Sequence, residues 1–239
     1  MPNAYVNNPK KYILIAYIVL SAVGYLIADE KMYVFYPTKA RPQVVQDKLQ
    51  KTYKNVMVTV FGRYIDFIKK IEIDPPTTIL TKPKIIDQIG NYGISLNGYR
   101  DGTRYESYMF VTLNKEINSA TVTSEMTIGV IDILGRKGMK EFVGQFFQVQ
   151  PKIKRVTKLE DLLPLLSFNM VEGILVEKIF IEYFKSTSKL NFNVTALPKK
   201  ENGIISLGTK QLKNEITITK ILKDGNKEIN ELFNVDQWK

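Results

Sequence analysis

The stretch MTIGVIDILGRKGMKEFVGQFFQVQPKIKRVTKLEDLLPLLSFNMVEGILVEKIFIEYF, residues 126–184, decides the fold. It opens on MTIGVIDIL (126–134), a short apolar run with β-branched residues that stops at Gly135 and predicts a strand. RKGMKEFVGQFF then sets Met139, Phe142, Val143, Phe146 and Phe147 at i, i+3, i+4, i+7 and i+8, one apolar stripe of a 3.6-residue helix. KIKRV (152–156) predicts a second strand. Thr157 and Glu160 have the spacing of a capping box that opens a helix through Leu159, Leu162, Leu163 and Leu166, shortened or kinked at Pro164. GILVEKIFIEYF begins with a third apolar run, 174–176. Strand, helix, strand, helix, strand with short links implies parallel strands and right-handed crossovers. Ligands of such an α/β sheet belong at the carboxyl ends of its strands.

Outward from that unit, the same order occurs earlier in the chain. MYVFYP (32–37) is a strand that stops at a proline, and residues 41–52 form a helix that starts near Pro42. NVMVTVFG (55–62) alternates as a strand, Tyr64, Ile65, Phe67, Ile68 and Ile71 mark an amphipathic helix, and residues 77–80 form a strand between prolines. This predicts a second α/β lobe. Between the lobes, residues 92–114 hold two strand-like runs about Arg100-Asp101-Gly102, which reads as a hairpin or an antiparallel pair that carries the crossover. Residues 190–198 and 203–208 are strand-like, and 215–222 and 227–233 helical, separated by Asp224-Gly225.

Composition removes whole classes of chemistry. The 239 residues contain no histidine and no cysteine. A Ser-His-Asp triad, an imidazole base, a His or Cys zinc site, a thiol nucleophile and a disulfide are all excluded, so an enzyme would have to work with carboxylates or lysine alone. The expectation is a binding protein, not an enzyme, without cofactor or metal.

The amino terminus speaks to compartment. Lys10 and Lys11 precede seventeen uncharged residues, 12–28, in which Ala22-Val23-Gly24 has the small-x-small form of a cleavage site. Residues 1–28 are expected to be a secretory signal peptide. The alternative is an uncleaved anchor, because a membrane span needs about 20 apolar residues. Either way the globular part is expected to be periplasmic or extracytoplasmic. The net charge is +10, and removing residues 1–28, with two lysines and no acid, leaves +8. That excess favours anionic partners. The lysines are scattered, densest at 152–158, and no nucleic-acid-binding motif accompanies them, so no nucleic-acid partner is expected.

Several segments carry a resemblance. They are an early strand that ends in Tyr36-Pro37-Thr38, then RYIDFIKKIE (63–72), ILTKP (79–83), GYRDGTRYESYMFVT (98–112), TIGVIDILGR (127–136), and the closing KILKDGNKEINELFNVDQWK (220–239) with Gly225 at its turn and Trp238 near its end. In this order they resemble the type 2 periplasmic solute-binding proteins of ABC importers, nearest the phosphonate and phosphate-type branch, over roughly residues 31–239. The resemblance implies an α/β, two-lobed type 2 periplasmic-binding-protein fold, each lobe a mixed sheet flanked by helices. Residues 29–112 plus 195–239 would form lobe 1, and 113–194 lobe 2. It implies an extracytoplasmic, monomeric protein that captures a small polar or anionic solute between its lobes by hinge closure and delivers it to a membrane permease. The alternative is a transport-inactive, receptor-like sensor or interaction domain at the membrane.

On that reading the strand ends supply the ligand-binding candidates: Tyr36, Thr38, Thr81 and Lys82 in lobe 1, Tyr105 and Ser107 in the crossover region, and Asp132, Gly135, Arg136 and Glu177 in lobe 2. The Gly135-Arg136 turn at a helix start suits an anion. One departure stands out. Phosphonate binders carry a serine- and threonine-rich turn there, whereas this chain has Ile133-Leu134-Gly135-Arg136-Lys137-Gly138, so Arg136 would have to supply charge-assisted bonds in place of hydroxyls.

Overall fold

A computed structural model describes residues 30–114, 116–210 and 216–239. The segment 1–28, expected as signal peptide or anchor, lies outside them. Two separate sheets form. The first has the order β11 (Gln237–Trp238), β4 (Gly93–Tyr99), β10 (Ser206–Thr209), β3 (Thr78–Thr81), β1 (Glu30–Phe35), β2 (Val56–Val60), and the second β7 (Lys152–Val156), β6 (Thr127–Ile131), β8 (Gly173–Glu177), β5 (Tyr108–Leu113), β9 (Phe192–Ala196).

In the first sheet, β1 (Glu30–Phe35) lies between β2 (Val56–Val60) and β3 (Thr78–Thr81), parallel to both. A central parallel strand is covered on both faces and so reads as an unbroken apolar run. Its side chains alternate: Tyr33 and Phe35 enter one apolar cluster, Met32 and Val34 another. Helix α1 (Pro42–Thr52) has Pro42 in its first turn, where a missing N–H costs nothing, and buries Val45 and Leu49. Helix α2 (Tyr64–Ile73) buries Tyr64, Phe67 and Ile71, and α3 (Pro83–Ile89) buries Ile85 and Ile86. The antiparallel strands β4 (Gly93–Tyr99), β10 (Ser206–Thr209) and β11 (Gln237–Trp238) complete the sheet.

The second sheet contains β5 (Tyr108–Leu113), β6 (Thr127–Ile131), β7 (Lys152–Val156), β8 (Gly173–Glu177) and β9 (Phe192–Ala196). As the sequence predicts, β6 runs parallel to β7 and β8. Helix α4 (Gly135–Gly144) buries Met139, Phe142 and Val143. Helix α5 (Leu162–Ser167) follows a 3₁₀ turn at Leu159–Asp161, and Pro164 falls in its first turn and is accommodated there. Another 3₁₀ turn, Lys178–Phe180, leads into α6 (Ile181–Thr187). Helices α7 (Ile216–Lys223) and α8 (Lys227–Phe233) close the chain against the first sheet's outer cluster through Ile218, Leu222, Ile229 and Phe233.

Three expectations change. The 92–114 segment is not a hairpin. Asp101 and Gly102 do make a tight turn, both at positive φ, with reciprocal Arg100–Thr103 backbone bonds, but β4 and β5 diverge into different sheets. A local turn signal fixes the reversal, not the partner each strand finds. Residues 108–112 and 195–196, expected in lobe 1, pair instead within the second sheet, so the chain changes sheets at about 100–107 and 197–205. The capping box does not close either: no side chain caps the turn at Leu159–Asp161, because a 3₁₀ turn replaces the first α-turn.

Candidate functional site

The carboxyl ends of β1, β3 and β8 converge between the sheets, and there a cluster of charges is buried. Lys82, just past β3, places Nζ 2.9 Å from Glu177 Oε1 at the end of β8. Lys82 also donates to the Ile204 carbonyl at 3.3 Å and lies 5.1 Å from the centre of the Tyr36 ring. Arg100 Nη1 donates to both carboxylate oxygens of Glu106 at 3.0 Å, and the Ser107 N–H donates to Glu106 Oε1 at 3.1 Å. Burial, reinforced by the Glu177 charge, pushes the Glu106 carboxyl up to about 8 against the pull of Lys82 and Arg100. Burial, and after it the charges of Glu177 and Glu106, raise Tyr36 and Tyr108 well above the ordinary phenol range, so both rings stay neutral. The Tyr36 hydroxyl, Arg100 Nη2, Glu177 Oε2 and Asn202 Nδ2 are buried without a hydrogen-bond partner among the described residues.

Around these charges the lobes meet through apolar side chains. One cluster joins Phe35, Tyr64, Phe67, Ile85 and Ile86 of the first lobe to Tyr108, Ile133, Leu134, Met139 and Phe142 of the second. The Phe142 ring lies 5.7 Å from the Lys84 ammonium. The cavities beside Pro37 and Tyr108 and beside Lys82 and Phe142 measure only about 20 Å³ and about 10 Å³. Such volumes hold a water molecule at most. Near the ends of β3 and β8 the space between the lobes is therefore packed shut by the Lys82–Glu177 pair and the apolar side chains around it.

Solute-sized space lies beside it, at the carboxyl ends of β1, β2, β6 and β7. A cavity of about 450 Å³ is bounded by residues 35–43, 45 and 60–63 of the first lobe and by Ile131 and residues 157–160 of the second. That is within the usual range of ligand pockets. Lys39, Arg41, Arg63 and Lys158 give it positive charge, against the single carboxylate of Glu160. The N-terminus of α1 also opens there, with Arg41 at the cap and no side chain satisfying the free N–H groups. Arg63 is shared with Asp66, its Nε 2.5 Å from Oδ2.

The sequence-derived candidates divide accordingly. Tyr36, Lys82 and Glu177 come together in the buried cluster. Thr38 reaches the outer cavity, though its hydroxyl donates to the Ala40 carbonyl at 2.9 Å. Thr81 is buried and ties β3 to β1 by donating to the Phe35 carbonyl at 2.7 Å. Tyr105 lies in the crossover, where its hydroxyl accepts from Arg104, and Ser107 is held there by the Lys178 N–H donating to its carbonyl. Asp132 accepts from the Gly135 N–H at 2.8 Å and pairs with Arg155, which makes it the acceptor that starts α4. Gly135 provides the positive φ that this start needs, and Arg136 is exposed and lines a groove with the residues of β7. Sequence reasoning missed Glu106 and Arg100. An arginine and a glutamate that bracket a two-residue Asp-Gly turn were the available signal.

No family model matches the sequence, and no curated protein matches it. Solved structures do. A mutant of ArgBP from T. maritima superposes with a TM-score of 0.59 at 13% identity, over 89% of this chain and 99% of that one. The GluR0 ligand-binding core from Nostoc punctiforme in complex with L-glutamate gives 0.59 at 9%, over 85% and 95%. The Bordetella pertussis BvgS periplasmic VFT2 domain gives 0.54 at 10%, over 90% and 97%. The chain has the two-lobed type 2 periplasmic-binding-protein fold. At these identities the likeness is one of fold alone, and the chemistry between the lobes is this chain's own.

Proposed function

We propose that the protein is an extracytoplasmic, receptor-like binding domain whose lobes are held together by their own side chains, and that it takes a small anionic ligand in the outer half of its cleft. The carrying observation is the packing between the lobes: a buried Lys82–Glu177 pair and an apolar cluster shared by both lobes fill the space at the ends of β3 and β8. A receptor that cycles between open and closed states would have to expose the shared apolar cluster at each opening, at a cost of roughly 25 cal/mol for every Å² of apolar surface returned to water. This favours a sensor or interaction domain over a carrier. Export rests on Lys10, Lys11 and the apolar run 12–28. Among the described residues no helix is long and apolar enough to cross a membrane.

The second reading is the solute-binding protein of an ABC-type importer, monomeric and serving a permease, and the 450 Å³ cavity lined by Lys39, Arg41, Arg63 and Lys158 supports it. Within it the phosphonate- and phosphate-type branch draws support only from the order of the sequence segments.

Thermal-shift measurements with phosphate, phosphonates, amino acids and polyamines, paired with small-angle scattering, test both. The receptor-like reading expects anions to raise Tm by mass action, an unchanged radius of gyration, and loss of the shift in Arg41→Glu. A radius that contracts on binding supports the importer instead. No shift from any solute class removes solute binding and leaves an interaction domain.

A further inference from the structure

On the second lobe, a groove of about 700 Å³ runs between α4 and the edge strand β7, and its wall consists of Arg136, Lys140, Gln150 and residues 151–155. Five of those residues are cations (Arg136, Lys140, Lys152, Lys154, Arg155) and none is acidic. Arg155 is paired with Asp132 and Lys152 with Glu125, while Arg136 and Lys140 have no ion-pair partner among the described residues. β7 stands at the end of its sheet, with β6 as its one neighbour among the described residues. The Lys152 N–H donates to the Met126 carbonyl and the Val156 carbonyl accepts from the Asp132 N–H. In a parallel ladder alternate residues face the neighbour, so the N–H and C=O groups of Ile153 and Arg155 point outward.

We infer that this edge receives an extended acidic peptide segment of a partner protein as an added strand. Two complementary features coincide. The outward backbone groups of Ile153 and Arg155 offer main-chain pairing to a strand of about five residues, roughly 17 Å long. The cations along β7 and on the first turns of α4 supply the countercharge that selects acidic side chains. An edge lysine by itself commonly serves to repel a second strand. Here the cations extend beyond the strand onto α4 and wall a concave groove, which is more than protection of an edge requires. A lipid surface or a nucleic acid would use the charge and ignore the backbone groups, and that difference makes the assignment testable.

The test uses the full chain with an eight-residue peptide of alternating glutamate and valine, a copy N-methylated at alternate backbone positions in either register, anionic phosphatidylglycerol vesicles and a single-stranded oligonucleotide. Binding is read by fluorescence anisotropy at physiological salt and by amide hydrogen exchange. The inference expects the unmodified peptide to bind, slowed exchange at Ile153 and Arg155, at least one N-methyl register that abolishes binding, and a loss of about tenfold or more in Arg136→Glu/Lys140→Glu. Both substituted side chains are exposed, so the fold is kept. It is overturned if both methylated peptides bind as well as the parent, if those two amides gain no protection, or if vesicles or oligonucleotide bind while the peptide does not.

Discussion

Lys82 of the first lobe and Glu177 of the second form a 2.9 Å ion pair across the cleft, each side chain about 95% buried. Opposite charges withdrawn from water are costly to assemble and costlier to break singly. Lys82→Met should therefore destabilise the protein by about 3–5 kcal/mol, because it leaves the Glu177 carboxylate buried opposite an apolar group. The double variant Lys82→Met/Glu177→Leu should recover most of that loss. Urea denaturation of the two single variants and the double variant measures the coupling, and additive losses would show that the pair does not clamp the lobes.

Glu106 sets a pH dependence. Its carboxyl is raised from 4.5 to about 8 in the folded protein, chiefly by burial, so the folded state holds a proton that the unfolded chain releases. Its contribution to stability is present below pH 4.5 and is lost as pH rises toward 8, with a slope of at most about 1.4 kcal/mol per pH unit. Glu106→Gln should flatten that part of the stability profile in denaturation curves between pH 5 and 9. An equally steep profile in the variant would assign the slope to other groups.

Phe142 packs edge-on to Tyr108 and Phe146 within the second lobe and reaches Lys84 in the first. Phe142→Ala should cost roughly 3–5 kcal/mol. Because the cavity opens between the lobes, amide exchange should quicken in α3 as well as in α4. Quickening confined to α4 would mean that the ring supports its own lobe alone.

Gly135 begins α4 at φ +69°, and an added Cβ would sit 3.1 Å from Cε1 of Tyr64 in the other lobe. Gly135→Ala combines left-handed strain with that crowding and should lower stability by about 1–2 kcal/mol. Pairing it with Tyr64→Leu separates the two causes in thermal melts: relief of the contact restores only the part due to crowding.

The elements were legible because each rests on local chemistry. The stripe from Met139 to Phe147 makes α4, the apolar run of β1 announces a strand covered on both faces, and Pro42 marks the start of α1. That β6, β7 and β8 run parallel followed from the short helical links between them. The buried charge cluster was legible in part. Lys82, Glu177 and Tyr36 were found as strand ends, but their meeting one another was not, since a strand-end position says where a side chain starts and not which group answers it across a cleft. Glu106 and Arg100 lie in a crossover that sequence periodicity does not describe.

By itself, then, the sequence determined most strands and helices, though not α3, α6 or β11, together with the parallel central unit and the exclusion of histidine and thiol chemistry, all of which depend on residue type and near neighbours. Only the tertiary structure decided that β4 and β5 part into separate sheets, that the inner cleft is filled, and that the open space lies at the rim beside Arg41 and Lys158. Those outcomes depend on how two lobes distant in the chain fit together. Side-chain volumes and buried charges settle that fit over separations such as the 95 residues between Lys82 and Glu177, where no local pattern reaches.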